Sequence, residues 1–400
     1  MMYLDNNATT AIKPQVKKAV LEAMEHSPLN PSSVHASGRA ARKIIDNARA
    51  KIAEVFGAGG ADIIFTGSGT EANNLAVSGV KGYEVIVSAT EHSSVLKAAK
   101  NARILPVEEN GLVNLAELKK VLDSCHSREG GNPYSRDGEV LAVEDRPVAM
   151  DSRLRGNDTS VLVSIMLANN ETGVIQPIKE IAALVHSYGG IIHTDAVQAV
   201  GKISVDMADL GVDMLSISAH KFGGSQGVGA LIMRKGITIS PMIVGGGQEL
   251  SLRAGTENVA AIAGFGSAVE NLQENLDKAE EIKILRDYME ERIKSIVSAR
   301  VFGEGAARLP NTSCFTMPGV KSEVQVIEFD LAGIAVSSGS ACSSGKVAAS
   351  HVLQAMGVAK PEAETAIRIS LGINNTKVEI DKFIEVWRGL YNRANQRNAA

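Results

Sequence analysis

Short apolar runs alternating with amphipathic stretches constrain this chain more than any other feature. Asp62-Ile63-Ile64-Phe65-Thr66, Val85-Ile86-Val87-Ser88, Ile191-Ile192-His193-Thr194-Asp195 and Asp213-Met214-Leu215-Ser216 read as strands. Val161-Leu162-Val163-Ser164-Ile165-Met166 is nearly continuous in apolar residues, the pattern of a strand buried on both faces. Before and between them lie helical patterns. Pro14 opens one carrying Val16, Ala19, Val20, Ala23 and Met24 on one face. A second carries Ile44, Ile45, Ala48, Ile52, Val55 and Phe56. Gly67-Ser68-Gly69-Thr70-Glu71 reads as a turn into a helix; a further helix is expected from about His92, and another through Leu115, Leu118, Val121 and Leu122. Strands alternating with helices predict an α/β fold with a mainly parallel sheet covered on both faces. Ligands of such sheets sit at the carboxyl ends of the strands.

That rule directs attention to Ser216-Ile217-Ser218-Ala219-His220-Lys221-Phe222-Gly223-Gly224. Here an apolar strand runs directly into a lysine. A lysine is costly to bury, and desolvation lowers its pKa. A neutral amine can then act as a nucleophile and form a Schiff base. Ser218 and His220 suit a phosphate, and the following glycines permit close backbone approach. The pattern points to pyridoxal phosphate (PLP) on Lys221; a surface lysine after a strand is the plainer alternative. Asp195, closing its own strand, suits the pyridinium nitrogen, or simply caps a helix. Gln198 suits the ring phenolate oxygen, or is a solvated helix residue. Gly69 and Thr70 open a helix whose free amides would make an anion site. His92 could stack on the ring, or be a loop residue.

A second centre is Ser337-Ser338-Gly339-Ser340-Ala341-Cys342-Ser343-Ser344-Gly345, a small, polar loop unsuited to a core. A thiolate there could move between a site and a partner. Cys314, between Ser313 and Phe315, reads instead as inert core filler. Arg368 places a charge in the apolar strand Ile367-Arg368-Ile369-Ser370-Leu371, for a carboxylate contact or for a structural ion pair. The cysteines, Cys125, Cys314 and Cys342, are odd in number and far apart, so neither a disulfide framework nor a metal motif is expected.

Taken together, the motifs resemble the NifS/IscS-type (group I) cysteine desulfurases, PLP enzymes of the class-V aminotransferase family and fold type I. The resemblance rests on Tyr3-Leu4-Asp5-Asn6-Asn7-Ala8-Thr9-Thr10, Asn30-Pro31-Ser32-Ser33-Val34-His35, Gly67-Ser68-Gly69-Thr70-Glu71, Thr90-Glu91-His92 and Ala168-Asn169-Asn170-Glu171-Thr172-Gly173. It continues through Asp195-Ala196-Val197-Gln198, Ser218-Ala219-His220-Lys221, Arg253-Ala254-Gly255-Thr256 and the Cys342 loop. It implies catalytic roles for Lys221, Cys342 and His92. It implies that Gly69, Thr70, Ser218 and His220 hold the cofactor phosphate, with Thr256 entering from a second subunit. Asp195, Gln198 and His92 would meet the ring, and Asn170 and Arg368 the substrate carboxylate. The implied reaction converts L-cysteine to L-alanine with a persulfide on Cys342, passed to an acceptor such as an iron–sulfur scaffold protein. Selenocysteine lyase and class-V aminotransferase are the neighbouring alternatives, and a non-catalytic assembly scaffold is the remote one. Gly345-Lys346-Val347-Ala348-Ala349-Ser350 departs from the Leu-Glu-Pro-Ser run of many such enzymes, which bears on the acceptor rather than on the chemistry.

The expected organisation is a large PLP-binding domain over 14–257, with 1–13 and 258–400 forming a smaller α+β domain that carries the Cys342 loop. A long helical stretch is expected over Asn258–Ser298, a strand at Cys314-Phe315-Thr316, and a last helix from Lys377 to Ala394. The segment from about Ser124 to Asp158 lacks apolar periodicity; its ends, Ser127-Arg128-Glu129-Gly130-Gly131-Asn132-Pro133 and Ser152-Arg153-Leu154-Arg155-Gly156-Asn157-Asp158, share a composition. It is expected to be an inserted, exposed excursion. With a net charge of -4, no nucleic-acid partner is implied. No apolar run suits a bilayer span, and the N-terminus does not read as a signal peptide. A cytoplasmic homodimer is expected.

Overall fold

The computed structural model describes residues 1–25, 30–126, 160–338 and 349–399. Cys342 lies outside the described residues, as does 127–159. In chain order the strands are β1 (Met2–Tyr3), β2 (Asp62–Thr66), β3 (Glu84–Ser88), β4 (Arg103–Leu105), β5 (Val161–Ser164) and β6 (Ile191–Asp195). They continue with β7 (Met214–Ser218), β8 (Gly229–Met233), β9 (Thr312–Thr316), β10 (Ile334–Ala335) and β11 (Ala366–Ser370).

Seven strands form the central sheet, in the order β2-β8-β7-β6-β5-β3-β4. Pairing is parallel from β7 through β4, while β8 is antiparallel to both β7 and β2. Strand β8 was not foreseen: its run Gly229-Ala230-Leu231-Ile232-Met233 is as apolar as β5 but lies soon after the lysine loop. It returns antiparallel because the loop between β7 and β8 is too short for a helical crossover. Asp195 pairs in register with Ser216, so the carboxyl ends of β6 and β7 lie side by side.

Both sheet faces are covered. Ile63, Phe65, Ile86 and Val163 pack with Ile45, Ile52, Ile181 and Phe265 from helices on one side. Ile64, Leu162, Met214 and Leu231 pack with Ala72, Leu75 and Ala76 on the other. A separate core gathers Leu4, Met289, Phe315, Phe329, Phe383 and Trp387. Two small pairs serve it, antiparallel β9–β11 and parallel β1–β10. The β1–β10 pair draws the N-terminal segment inward: Asn6 donates its backbone N–H to Ser370 O at 3.0 Å.

Several sequence expectations are adjusted. The long helical stretch expected over 258–298 consists of three helices: Val259–Glu270, Leu272–Asp277 and Ala279–Lys294. The first break falls at Asn271, whose side chain donates to Ser267 O at 2.8 Å, a local bond that competes with helix continuation. Val259, Ile262, Phe265 and Leu272 belong to the large core, and Ile282 and Met289 to the smaller one. The helix from His92 is a single turn, Ser93–Leu96. Met24 is exposed, while Val16 and Ala23 carry the buried face of the helix Pro14–Glu25. The segment expected from Ser124 begins later, because Ser124 and Cys125 still belong to the helix Leu115–His126 and Cys125 is buried in the large core. Cys125 is packing, not part of an excursion.

Candidate active site

Lys221 stands one short turn beyond β7, at the end of the 3-10 segment Ala219–Lys221. The turn is set by Gly224, whose N–H donates to Ala219 O at 2.9 Å. The Lys221 ammonium donates to the carbonyls of Asn7 at 2.6 Å and Ala8 at 2.8 Å. A cavity of about 180 Å³ opens here. Its walls bring together Gly69, Thr70, His92, Asn170, Asp195, Gln198, Ser218, His220 and Lys221, nine positions singled out in the sequence. A larger cleft of about 550 Å³ also touches Lys221, with Lys13, Lys202 and Glu274 among its lining. Of those nine positions it shares only Lys221, so the smaller cavity is the candidate site.

Its anion end is built from the start of the helix Gly69–Gly79. Ser68 caps that helix, accepting from Glu71 N at 3.2 Å. The amides of Gly69 and Thr70 have no carbonyl one turn back, and the helix dipole favours negative charge there. A side chain at residue 69 would put its Cβ 2.8 Å from Val197 Cγ2 and 3.1 Å from Ser218 Cβ, so only glycine fits this approach. Opposite, the Ser218 hydroxyl is buried without a hydrogen-bond partner among the described residues. An orphaned buried hydroxyl costs free energy unless a ligand meets it. His220 Nδ1 lies 3.2 Å from Thr9 Oγ1. Burial, then the Lys221 charge, lowers the His220 pKa to about 4, so at neutral pH the ring offers a hydrogen bond rather than a charge.

The acid end is fixed by two donors. Asn73 Nδ2 donates to Asp195 Oδ2 at 2.6 Å, and Val197 N to Asp195 Oδ1 at 2.9 Å. Asp195 therefore does cap the following turn, while still facing the cavity. His92 Nδ1 accepts from Ser94 N at 3.1 Å. That acceptor role places the proton of the neutral ring on Nε2. Burial is the main cause lowering the His92 pKa; nearby Asp195 opposes it.

These geometries fit pyridoxal phosphate. The helix start and the orphaned Ser218 hydroxyl match a phosphate, Asp195 an aromatic N–H, and Lys221 an aldehyde. Two residues sit differently from the rest. Thr256 is exposed and does not line the cavity of its own chain. Arg368 is buried behind the site, paired to Asp5 Oδ1 at 2.6 Å and donating to Asn170 O at 3.0 Å. The ion-pair alternative thus holds for one arm of its fork, while its Nε is buried without a partner among the described residues. Cys342 lies outside the described residues.

Sequence reasoning passed over Asn7, Asn73 and Lys202. Asn7 is 1% exposed and its carbonyl accepts from both Lys221 and Gln198. It stood inside the motif Tyr3–Thr10, but with no long-range pairing to give it a role. Asn73 stands one helical turn after Gly69, and Lys202 stands four residues after Gln198 in a run of turns. That spacing was the available signal.

The chain matches the family model "Aminotransferase class-V" over residues 2–127 and 148–383. The unmatched stretch, 128–147, falls inside the segment read as an insertion. The cysteine desulfurase IscS of Dictyoglomus turgidum is 40% identical, over 96% of this chain and 93% of that protein. A cysteine desulfurase of Cereibacter sphaeroides is also 40% identical, over 96% and 94%. The X-ray structure of a NifS-like protein from Rickettsia africae superposes with a TM-score of 0.83 at 39% identity, covering 98% of this chain and 99% of the other. Sequence likeness over nearly the full length and a shared fold lead to one conclusion: the chain belongs to the class-V aminotransferase family, and within it to the NifS/IscS-type cysteine desulfurases.

Proposed function

We propose that the protein is a PLP-dependent cysteine desulfurase, converting L-cysteine to L-alanine and carrying the sulfur as a persulfide on Cys342. The observation that carries this reading is the meeting of Lys221, Asp195, His92 and the Gly69–Thr70 helix start around one cavity. The names of the relatives support the substrate. The cofactor, when bound, supplies a protonated ring that takes up the electrons left when an amino acid loses its Cα proton.

The chain's own residues do the rest. Gly69, Thr70, Ser218 and His220 would hold the phosphate and Asp195 the ring nitrogen. Gln198 would hold the phenolate oxygen and His92 would lie on the ring face. The Lys221 amine, released by substrate, would take the Cα proton; its two carbonyl partners hold it at the cavity wall. Asn170 and Arg368 would orient the substrate carboxylate. The Cys342 thiolate would then bond to the substrate sulfur. As the S–S bond forms, the substrate carbon–sulfur bond breaks and its electron pair stays with carbon, which is reprotonated to alanine.

Two units would divide the work: the large core with the cofactor site, and the smaller core with β1, β9, β10 and β11, from which the Cys342 loop departs. The enzyme would act as a cytoplasmic homodimer in which the exposed Thr256 serves the neighbouring site. A sulfur-acceptor or iron–sulfur scaffold protein would take the product. To test the reading, the purified protein is incubated with PLP, reduced with borohydride and digested. The pyridoxyl group should map to the Lys221 peptide; label on another lysine would refute the site.

A further inference from the structure

Lys202 is a lysine in the interior. It is 8% exposed, and among the described residues its ammonium donates only to neutral oxygens: Gln198 Oε1 at 2.5 Å and Asn7 Oδ1 at 2.8 Å. Burial, then the charges of Lys221 and Arg368, push its pKa well below the ordinary lysine value. A buried ammonium without a carboxylate is expensive to keep. Simple packing would be served as well by Met or Leu.

The geometry shows what the ammonium does. Gln198 can present either end of its carboxamide to the cavity, because the two ends are nearly the same shape. A lysine ammonium can only donate. With Lys202 against Oε1, the Gln198 NH2 group must lie at the other end, where it donates to Asn7 O at 2.9 Å. That same carbonyl accepts from Lys221 at 2.6 Å. Asn7 is itself held, because Asn311 Nδ2 donates to its Oδ1 at 3.1 Å and its own Nδ2 donates to Thr312 Oγ1 at 2.9 Å. Lys202, Gln198 and Asn7 form a closed set of bonds in which no amide can flip without leaving a buried group unpaired.

We propose that Lys202 is a positioning residue that locks the Gln198 carboxamide with its NH2 end toward Asn7 and the cavity, so that Gln198 meets the cofactor only as a hydrogen-bond donor. This rests on the PLP reading of the cavity. A donor to the phenolate oxygen favours the form of the bound cofactor that carries one proton fewer. Removing the donor, and a nearby positive charge with it, should therefore raise the pH at which the visible absorbance of the resting protein changes.

The test is a spectrophotometric pH titration of the protein loaded with PLP, without substrate. Lys202→Met should bind PLP on Lys221 and shift the absorbance midpoint up by about one pH unit, the scale expected for one hydrogen bond to a charged group. Gln198→Ala should shift it similarly, and adding Lys202→Met to Gln198→Ala should move it much less than in the wild type. Gln198→Glu leaves Lys202 a partner, so it should fold, and it too should raise the midpoint because the donor is gone. Equal shifts from Lys202→Met in both backgrounds would overturn the proposal, since Lys202 would then act independently of Gln198. An unshifted Gln198→Glu would overturn it as well. A wild-type protein that takes up no PLP would instead overturn the cofactor reading, and this inference with it.

Discussion

The Lys221 ammonium is held by two backbone carbonyls from the N-terminal segment, Asn7 and Ala8, and neither bond depends on a cofactor. Burial lowers the pKa of three histidines, His92, His193 and His220. His193 is the extreme case: it lies under the sheet's carboxyl edge, bonded to Ser164 Oγ at 2.8 Å and Ser216 Oγ at 2.9 Å. Burial lowers its pKa from 6.5 to about 3. The folded state thus binds fewer protons than the unfolded chain between those values, so the contribution to stability is complete above pH 6.5 and is lost as pH falls toward 3. The slope from this one group is at most about 1.4 kcal/mol per pH unit. Urea denaturation midpoints should fall between pH 6.5 and 4, and fall less steeply in His193→Gln. Equal slopes for the two proteins would contradict the assignment. None of this could be read from His193-Thr194-Asp195, because the strand run shows that the histidine is interior but not that its partners are two serines from neighbouring strands.

At the scale of elements, the helix Gly69–Gly79 is the piece that makes the anion end. Its start is pressed against β7, with the residue-69 Cβ position 3.1 Å from Ser218 Cβ. Gly69→Ala should push the helix start away from Ser218 and weaken PLP affinity at least tenfold, read by fluorescence titration, while excess PLP still labels Lys221. Unchanged affinity would show that the phosphate lies elsewhere. Much of this was legible: β2, β3, β5, β6 and β7 follow from apolar runs, and the strand-end positions of Asp195 and Lys221 follow from those strands. The antiparallel β8 and the three-way break of the 259–294 helices were not legible. They depend on loop length and on side chain-to-backbone bonds at Asn271, which the apolar pattern does not encode. Arg368 shows the same limit. Its strand was visible, but its ion pair with Asp5 joins positions far apart in sequence and depends on the bridge between Asp5 and Ser370 that sets the N-terminal segment beside β11.

For the whole molecule, the N-terminal segment acts as a seam. Leu4 packs in the smaller core, while Asn7 bonds to Lys221 and Gln198 beside the candidate site. The family match runs over 2–127 and 148–383, so the internal stretch it leaves out is 128–147. Cys125 and Leu122 are core residues, so an excision must start beyond them. Replacing 128–158 with a short Gly-Ser link should preserve PLP content and cysteine turnover and change stability by no more than about 1 kcal/mol, because loop closure depends only on the logarithm of length. A large loss of turnover with PLP retained would make the segment part of the machinery. The central claim is that sulfur leaves L-cysteine for Cys342, and the most direct test is mass spectrometry of the PLP-loaded protein after a single turnover with L-cysteine. The account predicts one added sulfur on the Cys342 peptide, one alanine formed per site, and neither in Cys342→Ser; an added sulfur on Cys125 or Cys314, or alanine formed at wild-type rate by Cys342→Ser, would contradict it.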